Sequence, residues 1–276
     1  MQLLSHMRPR LSSLVKPVRA VAQNVCARVV RSPYQCPVCD ARLLGFITFD
    51  RFVPHLAAEL RAADFDLQAA DFETLHTSAY GCPICRCSDR DRMCYLYIFR
   101  ALESAGGRAA FLDIAPAGLL ATKLRACGRF EYRSADFAMP DVDDVGLDLQ
   151  DMSRYRDAQF DRFLCSHVLE HVPDDRRAMS ELYRVLKPGG WGIAMVPISL
   201  SLAKTLEDPA IVDSTERTRA FGQSDHVRLY SKQDFVTRLE QAGFVVDEVS
   251  ASALTPGAPA DYGIDPRSVL YVCHKR

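Results

Sequence analysis

Apolar and polar positions change their rhythm near residue 89. "DRDRMCYLYIFRALES" sets Met93, Leu96, Tyr97 and Phe99/Arg100 at steps of three and four, which predicts a helix stopped by Gly106-Gly107. Beyond it, strands read at 109–114, 130–135, 145–148, 160–166 and 191–197. Helical spacing covers 117–126 and 174–186, the second closed by "KPGG". Strands alternating with helices predict an α/β fold, a parallel, doubly wound sheet with helices on both faces. "SKQDFVTRLEQAG" adds a helix with a Ser231/Asp234 capping box and Gly243 just past its end. "FVVDEVSA" and "SVLYVCHKR" read as two last strands.

Upstream the pattern differs. Residues 1–39 carry Arg8, Arg10, Lys16, Arg19, Arg28 and Arg31 and no acidic residue. Val18, Val21, Ala22, Val25 and Val29 recur at helical spacing, so residues 18–31 have one apolar and one basic face. Peripheral contact of residues 1–31 with an anionic membrane, an organelle presequence in a eukaryotic source, and a helix packed on the main domain or a loose tail all account for this pattern. A cysteine-bearing region follows, with pairs Cys36/Cys39 and Cys82/Cys85 around an acidic-leaning, partly helical insert from Arg51 to Thr77. Three segments result: a basic stretch at 1–35, a cysteine module at 36–94 and the main domain at 95–276.

The chain has 276 residues, 48% of them hydrophobic and 25% charged, which suits a soluble core domain plus an appendage. A formal charge of -1 gives no general attraction to nucleic acid. No apolar run approaches the roughly 20 residues of a membrane span. Ten cysteines without a secretory h-region point to a reducing, cytoplasmic setting and to metal rather than disulfides.

Ligands of a doubly wound sheet sit at the carboxyl ends of its strands. Here the first strand ends in Asp113, the second near Asp136, the third at Asp148 and the fourth at Ser166-His167. Asp136 stands where an acidic group holds ribose hydroxyls; Asp113 suits an ammonium group and Asp148 a base's exocyclic amine. A pyrophosphate would need several bare backbone N–H groups at the first turn. "APAG" supplies a single glycine, and Pro116 removes one donor. A nucleoside with an amino-acid end and no phosphate, such as S-adenosylmethionine, needs only small residues there.

"LDIAPAG", "LDLQDM" and above all "FDRFLCSHVLEHVPDDRRAMSELYRVLKPGGWGIAMVP" at 160–197 resemble class I S-adenosylmethionine-dependent methyltransferases of the small-molecule type. "FGQSDHVRLYSKQDFVTRLEQAGFVVDEV" at 221–249 is similar to a subgroup with paired N-terminal cysteines, and "SDRDRMCYLYIF" looks like a variant of its basic helix start. The resemblance spans roughly 82–250 plus the first cysteine pair, and departs from the family where Ala-Pro-Ala replaces G-x-G. It implies a Rossmann-like, mostly parallel seven-stranded sheet with a small zinc-ribbon-like module. It places Asp113, Ala115 and Gly118 at the cofactor's methionine end, Asp136 on the ribose, and Asp148 and Leu149 at the adenine. Ser166 and His167 would face the sulfonium and the acceptor, a small molecule or a saccharide.

A hydroxyl or ammonium acceptor must lose a proton, and histidine has the matching pKa. His226 is the first candidate for that base, because in the resembled subgroup its segment covers the acceptor pocket; His167 is the second. His171, Arg228 and Tyr230 are candidates for contacting the acceptor. Cys36, Cys39, Cys82 and Cys85 are expected to hold a structural zinc, with Cys87 a substitute ligand. Four sulfur ligands leave no open position for catalysis. Two rival readings are an RNA methyltransferase docking through its zinc module and a non-catalytic protein with a vestigial cofactor pocket.

Overall fold

The computed structural model describes residues 32–103 and 107–276. The amphipathic stretch expected at 18–31 lies outside the described residues. Helix α1 (Pro54–Ala62) lies in the insert, and α2 (Asp89–Glu103) leads into the main domain. There follow β1 (Ala109–Ile114), α3 (Gly118–Ala126), β2 (Phe130–Asp136), β3 (Asp144–Val145) and β4 (Phe160–Ser166). Next come α4 (Asp175–Val185), β5 (Leu186–Met195), β6 (Ile198–Ser199), β7 (Leu206–Glu207) and α5 (Ser214–Phe221). β8 (Arg228–Ser231), α6 (Lys232–Gln241), β9 (Val245–Ser250) and β10 (Val269–His274) complete the chain.

Seven strands form one sheet in the order β3-β2-β1-β4-β5-β10-β9. The first five run parallel, while β10 is antiparallel to both neighbours. The expected doubly wound, mostly parallel sheet is therefore present. The central strands β1, β4 and β5 bury their carboxyl-terminal halves on both faces, which is why those stretches read as short apolar runs, whereas β2 nearer the edge alternates. One face packs Leu112, Phe163, Met179 and Leu182 into a core; the other packs Met93, Ile98, Phe111 and Leu124. The Ser231 hydroxyl caps α6 by accepting from the Asp234 N–H, as its sequence predicts.

Three boundaries differ from the sequence reading, each for a local reason. "KPGG" does not merely end the helix. It enters β5, where Leu186 pairs with Phe160 and the Gly189 N–H donates to the Lys275 carbonyl at 2.7 Å. A Cβ on Gly190 would lie 2.8 Å from the carbonyl oxygens of Asp161 and Lys187, so the strands' approach demands glycine there. β5 stops at Met195, short of the expected 197, and Pro197 has no N–H to extend the ladder. The third strand ends at Val145 because Gly146, at φ +77, turns the chain. The N–H groups of Gly146 and Leu147 then donate to the Asp136 carbonyl at 2.9 and 3.1 Å.

The insert between the cysteine pairs does not loop out freely. Phe49, Ala57, Leu60 and Tyr80 build a small core of their own, and Phe72 bridges to Ser199. Glu73 is buried against the Tyr271 hydroxyl (2.6 Å) and Lys232 Nζ (2.9 Å). Arg92, fully buried on α2, donates to the carbonyls of Cys87, Ala79, Tyr80 and Gly263. α2 runs unbroken through the expected boundary at 94/95.

Candidate active site

The parallel strands share one carboxyl edge, and Asp113, Asp136 and Ser166 stand at or next to the ends of β1, β2 and β4. Asp113 sits one residue before the end of β1, its neighbours in register being Ser134 on β2 and Leu164 on β4. It is buried; Oδ2 accepts from the Tyr132 hydroxyl at 2.5 Å, and Oδ1 has no hydrogen-bond partner among the described residues. Burial pushes its carboxyl up to about 7, the Tyr132 bond works against that rise, and the Asp91 charge adds to it. A buried oxygen without a donor is the feature an ammonium group would satisfy.

The turn after β1 answers the shortage of glycine with strain. Ala115 adopts φ +53 and Gly118 φ +42, and the Ala115 N–H still donates to the Ala135 carbonyl at 2.9 Å. An L-residue in the left-handed region costs about 1–2 kcal/mol. Nothing lies within 4 Å of a Cβ built on Gly118, so the turn faces open space. Ala117, at the N-cap of α3, has no side chain to satisfy the first N–H groups of the helix. The variant Ala115→Gly is expected to raise unfolding stability by about 1 kcal/mol by relieving that strain. Denaturant titration measures it; an unchanged or lower midpoint would contradict the strain assignment.

Asp136 ends β2. Its Oδ1 accepts from the N–H groups of Ala138 (2.7 Å) and Met139 (2.6 Å), and its carbonyl holds the loop that carries Asp148. Asp148 Oδ1 accepts from Gln150 N at 2.8 Å, and Leu149 turns into the core. Both carboxylates thus brace their own turns. Ser166 ends β4 with its hydroxyl buried and without a partner among the described residues. His167 follows at φ +57, anchored by its N–H on the Met195 carbonyl at 2.8 Å.

Glu170, which sequence reasoning did not single out, lies beneath these groups and is fully buried. Its Oε1 is 3.2 Å from His167 Nδ1 and 4.0 Å from His226 Nε2. The available signal was its place between two histidines in "HVLEH", three residues after His167. Burial alone would raise the Glu170 carboxyl, but His167 and the other histidines hold it down at about 2. Burial, aided by the Arg90 charge, lowers His167 to about 4 and also lowers His226, so both rings are neutral near pH 7.

The structure does not bring Arg228 and Tyr230 to an open acceptor surface. Arg228 donates to the carbonyls of Leu169, Val172 and Pro173, at 2.9, 2.5 and 2.8 Å, and to Glu207 at 3.0 Å. The Tyr230 hydroxyl donates to Asp175 at 2.6 Å. Both are buried and clamp the 221–228 segment onto the turn after β4. His171 and His226 meet edge to face in that clamp, ring centroids 4.7 Å apart.

The four predicted cysteines form a second centre, with their sulfurs within 4.8 Å of one another. Cys36 Sγ lies 3.6 Å from Cys85 Sγ and Cys39 Sγ 3.9 Å from Cys82 Sγ. Two tight turns present them: the Cys36 N–H donates to the Ala41 carbonyl and the Cys82 N–H to the Cys87 carbonyl. Contacts from Cys36, Cys39 and Cys85 hold the Cys82 thiol well below its ordinary value, whereas contacts from Cys36, Cys39 and Cys82 push Cys85 up. Such a set can hold a metal ion through four sulfurs. Cys87 is buried beside it but is not one of the four.

Residues 94–194 match the model of the methyltransferase domain family. The chain is 28% identical over 176 residues to a ubiquinone/menaquinone biosynthesis C-methyltransferase of Brucella anthropi, covering 59% of this chain and 63% of the relative. It is 28% identical over 91 residues to a ubiquinone biosynthesis O-methyltransferase of Paracidovorax citrulli, covering 33% of this chain and 35% of that one. It thus spans less than two thirds of the length of either relative. A solved S-adenosylmethionine-dependent methyltransferase of Archaeoglobus fulgidus aligns at 14% identity and a TM-score of 0.43, covering 67% of this chain and 94% of that one.

Proposed function

We propose that this chain, which carries a class I methyltransferase domain, moves a methyl group from S-adenosylmethionine to a small-molecule or saccharide acceptor. The observation that carries the reading is the buried Asp113 with a free Oδ1 near the end of β1, followed in the chain by an open Gly118 and an uncapped α3 N-terminus. Asp113 takes the ammonium of the methionine end, and the first N–H groups of α3 take its carboxylate. Asp136 holds the ribose through Oδ2, and Asp148 with Leu149 borders the adenine. When bound, the cofactor supplies an electrophilic methyl on a sulfonium.

Placing methyl and acceptor in line is the main task of such a site. His167 serves as the base for a hydroxyl or ammonium acceptor. Glu170 faces Nδ1 and fixes the tautomer, which leaves Nε2 to take the proton, the logic of an acid–histidine pair. His226, the first candidate on sequence grounds, is buried and its Nδ1 is held by the Phe221 carbonyl at 3.1 Å. The relatives' names tie them to quinone biosynthesis, which favours a small acceptor over RNA, as does the net charge of -1. Zinc is the proposed occupant of the four cysteines, in a structural role.

The test offers the full-length protein S-adenosylmethionine and a panel of small phenols, amines and saccharides, and measures S-adenosylhomocysteine release. His167→Ala is expected to lower kcat about 10²- to 10⁴-fold while leaving cofactor affinity within a factor of two or so. An unchanged rate would remove His167 from the chemistry.

A further inference from the structure

Glu170 is fully buried, and neither of its carboxylate oxygens accepts a well-aligned hydrogen bond among the described residues; the nearest donor, His167 Nδ1, lies 3.2 Å from Oε1. A buried anion is tolerated only beside a cation or a full set of donors. Arg90 lies near enough to feel its charge and His167 faces Oε1, while the two other imidazoles around it are oriented by other bonds. The Phe221 carbonyl, 3.1 Å from His226 Nδ1, places the ring hydrogen there, so His226 Nε2 keeps its lone pair on the side of Glu170. His171 Nδ1 lies 3.4 Å from Asp225 Oδ2, the carboxylate contact that orients metal-binding imidazoles. One donor atom from each of Glu170, His171 and His226 lies within 4.8 Å of the other two. The Val227 N–H donates to the Glu170 carbonyl at 2.9 Å, and the Arg228 clamp locks the loop to the turn, so the three groups come from a rigid frame.

We propose that Glu170, His171 and His226 bind one divalent first-row transition metal, separate from the four-cysteine centre. Two imidazoles and one carboxylate suit zinc, manganese, iron or cobalt and not magnesium or calcium, which prefer all-oxygen sets. Three protein ligands leave coordination positions open. On the methyltransferase reading, an oxygen of the acceptor takes one of them, and the metal eases loss of its proton toward His167. That second statement rests on the reading above, whereas metal binding does not. The competing partner of Glu170 is His167 itself, whose Nδ1 is 3.2 Å from Oε1.

The experiment loads the full-length protein with zinc, removes loose metal by gel filtration and counts zinc by mass spectrometry. His171→Asn is the chosen variant because His171 is only half-buried, and circular dichroism checks its fold. The expected result is a loss of about one zinc per chain relative to wild type, repeated in Glu170→Gln. In Cys36→Ser/Cys82→Ser, cobalt should still give ligand-field bands without thiolate charge transfer, and these should vanish when His171→Asn is added. Equal zinc in wild type and His171→Asn, with no such cobalt bands, would overturn the site and leave Glu170 to His167. A metal count that behaves as expected in a protein that never binds S-adenosylmethionine would uphold the site and sink the functional reading alone.

Discussion

Asp113→Asn is expected to weaken S-adenosylmethionine binding by about one to two orders of magnitude, the loss of one charge-assisted bond in a buried setting. The same carboxylate makes affinity depend on pH in a defined direction. Burial raises its pKa to about 7 in the folded chain, above the unfolded value. The protonated form therefore favours the folded chain at low pH, and that contribution fades as pH rises through about 7. An ammonium ligand needs the ionised form, so affinity rises over the same interval. Wild type should bind about tenfold more tightly at pH 8 than at pH 6, and Asp113→Asn should be flat. Calorimetry at the two pH values decides it. A pH-independent wild type would show that Asp113 does not meet the ammonium.

The second large effect lies at the cysteines. Cys36→Ser/Cys82→Ser should lose the zinc of this centre and lower the melting temperature by about 10 °C or more. Structural zinc contributes of the order of 10 kcal/mol in free-standing fingers, and a few kcal/mol already shifts a domain of this size by that much. Here the loss spreads inward: Val38 and Leu43 pack around the sulfurs, and Arg92 ties the adjoining turn to Gly263 across the domain. A chelator should reproduce the shift in wild type. Stable, zinc-free wild type would show that the thiols pack as a small core without metal.

The strand ends were legible where buried strands leave short apolar runs that stop near a polar residue, as in β1 and β4, and where an alternating strand such as β2 ends in an acidic one. Asp113, Asp136 and Ser166 stand at such stops, and the structure puts them on one edge. The four cysteines were legible because two short turns fix each pair locally. What escaped was set by tertiary contact. Arg228 and Tyr230 were candidates for contacting the acceptor, but the carbonyls of the turn after β4 claim the guanidinium and Asp175 claims the phenol. Glu170 carries no periodicity of its own and gains its place only when β8 returns to cover it. "KPGG" has the composition of a helix stop, and only the ladder with β4 and the C-terminal strand turns it into sheet.

A phosphate-free adenosyl cofactor held at the carboxyl edge by Asp113 and Asp136 is the premise of every catalytic role proposed for this chain. Titration calorimetry of the full-length protein with S-adenosylmethionine, beside Asp136→Ala, tests this most directly. Saturable heat at sub-millimolar ligand in wild type, absent in a variant with an unchanged melting curve, is the predicted result. No heat up to millimolar ligand, or equal affinity in Asp136→Ala, would contradict it.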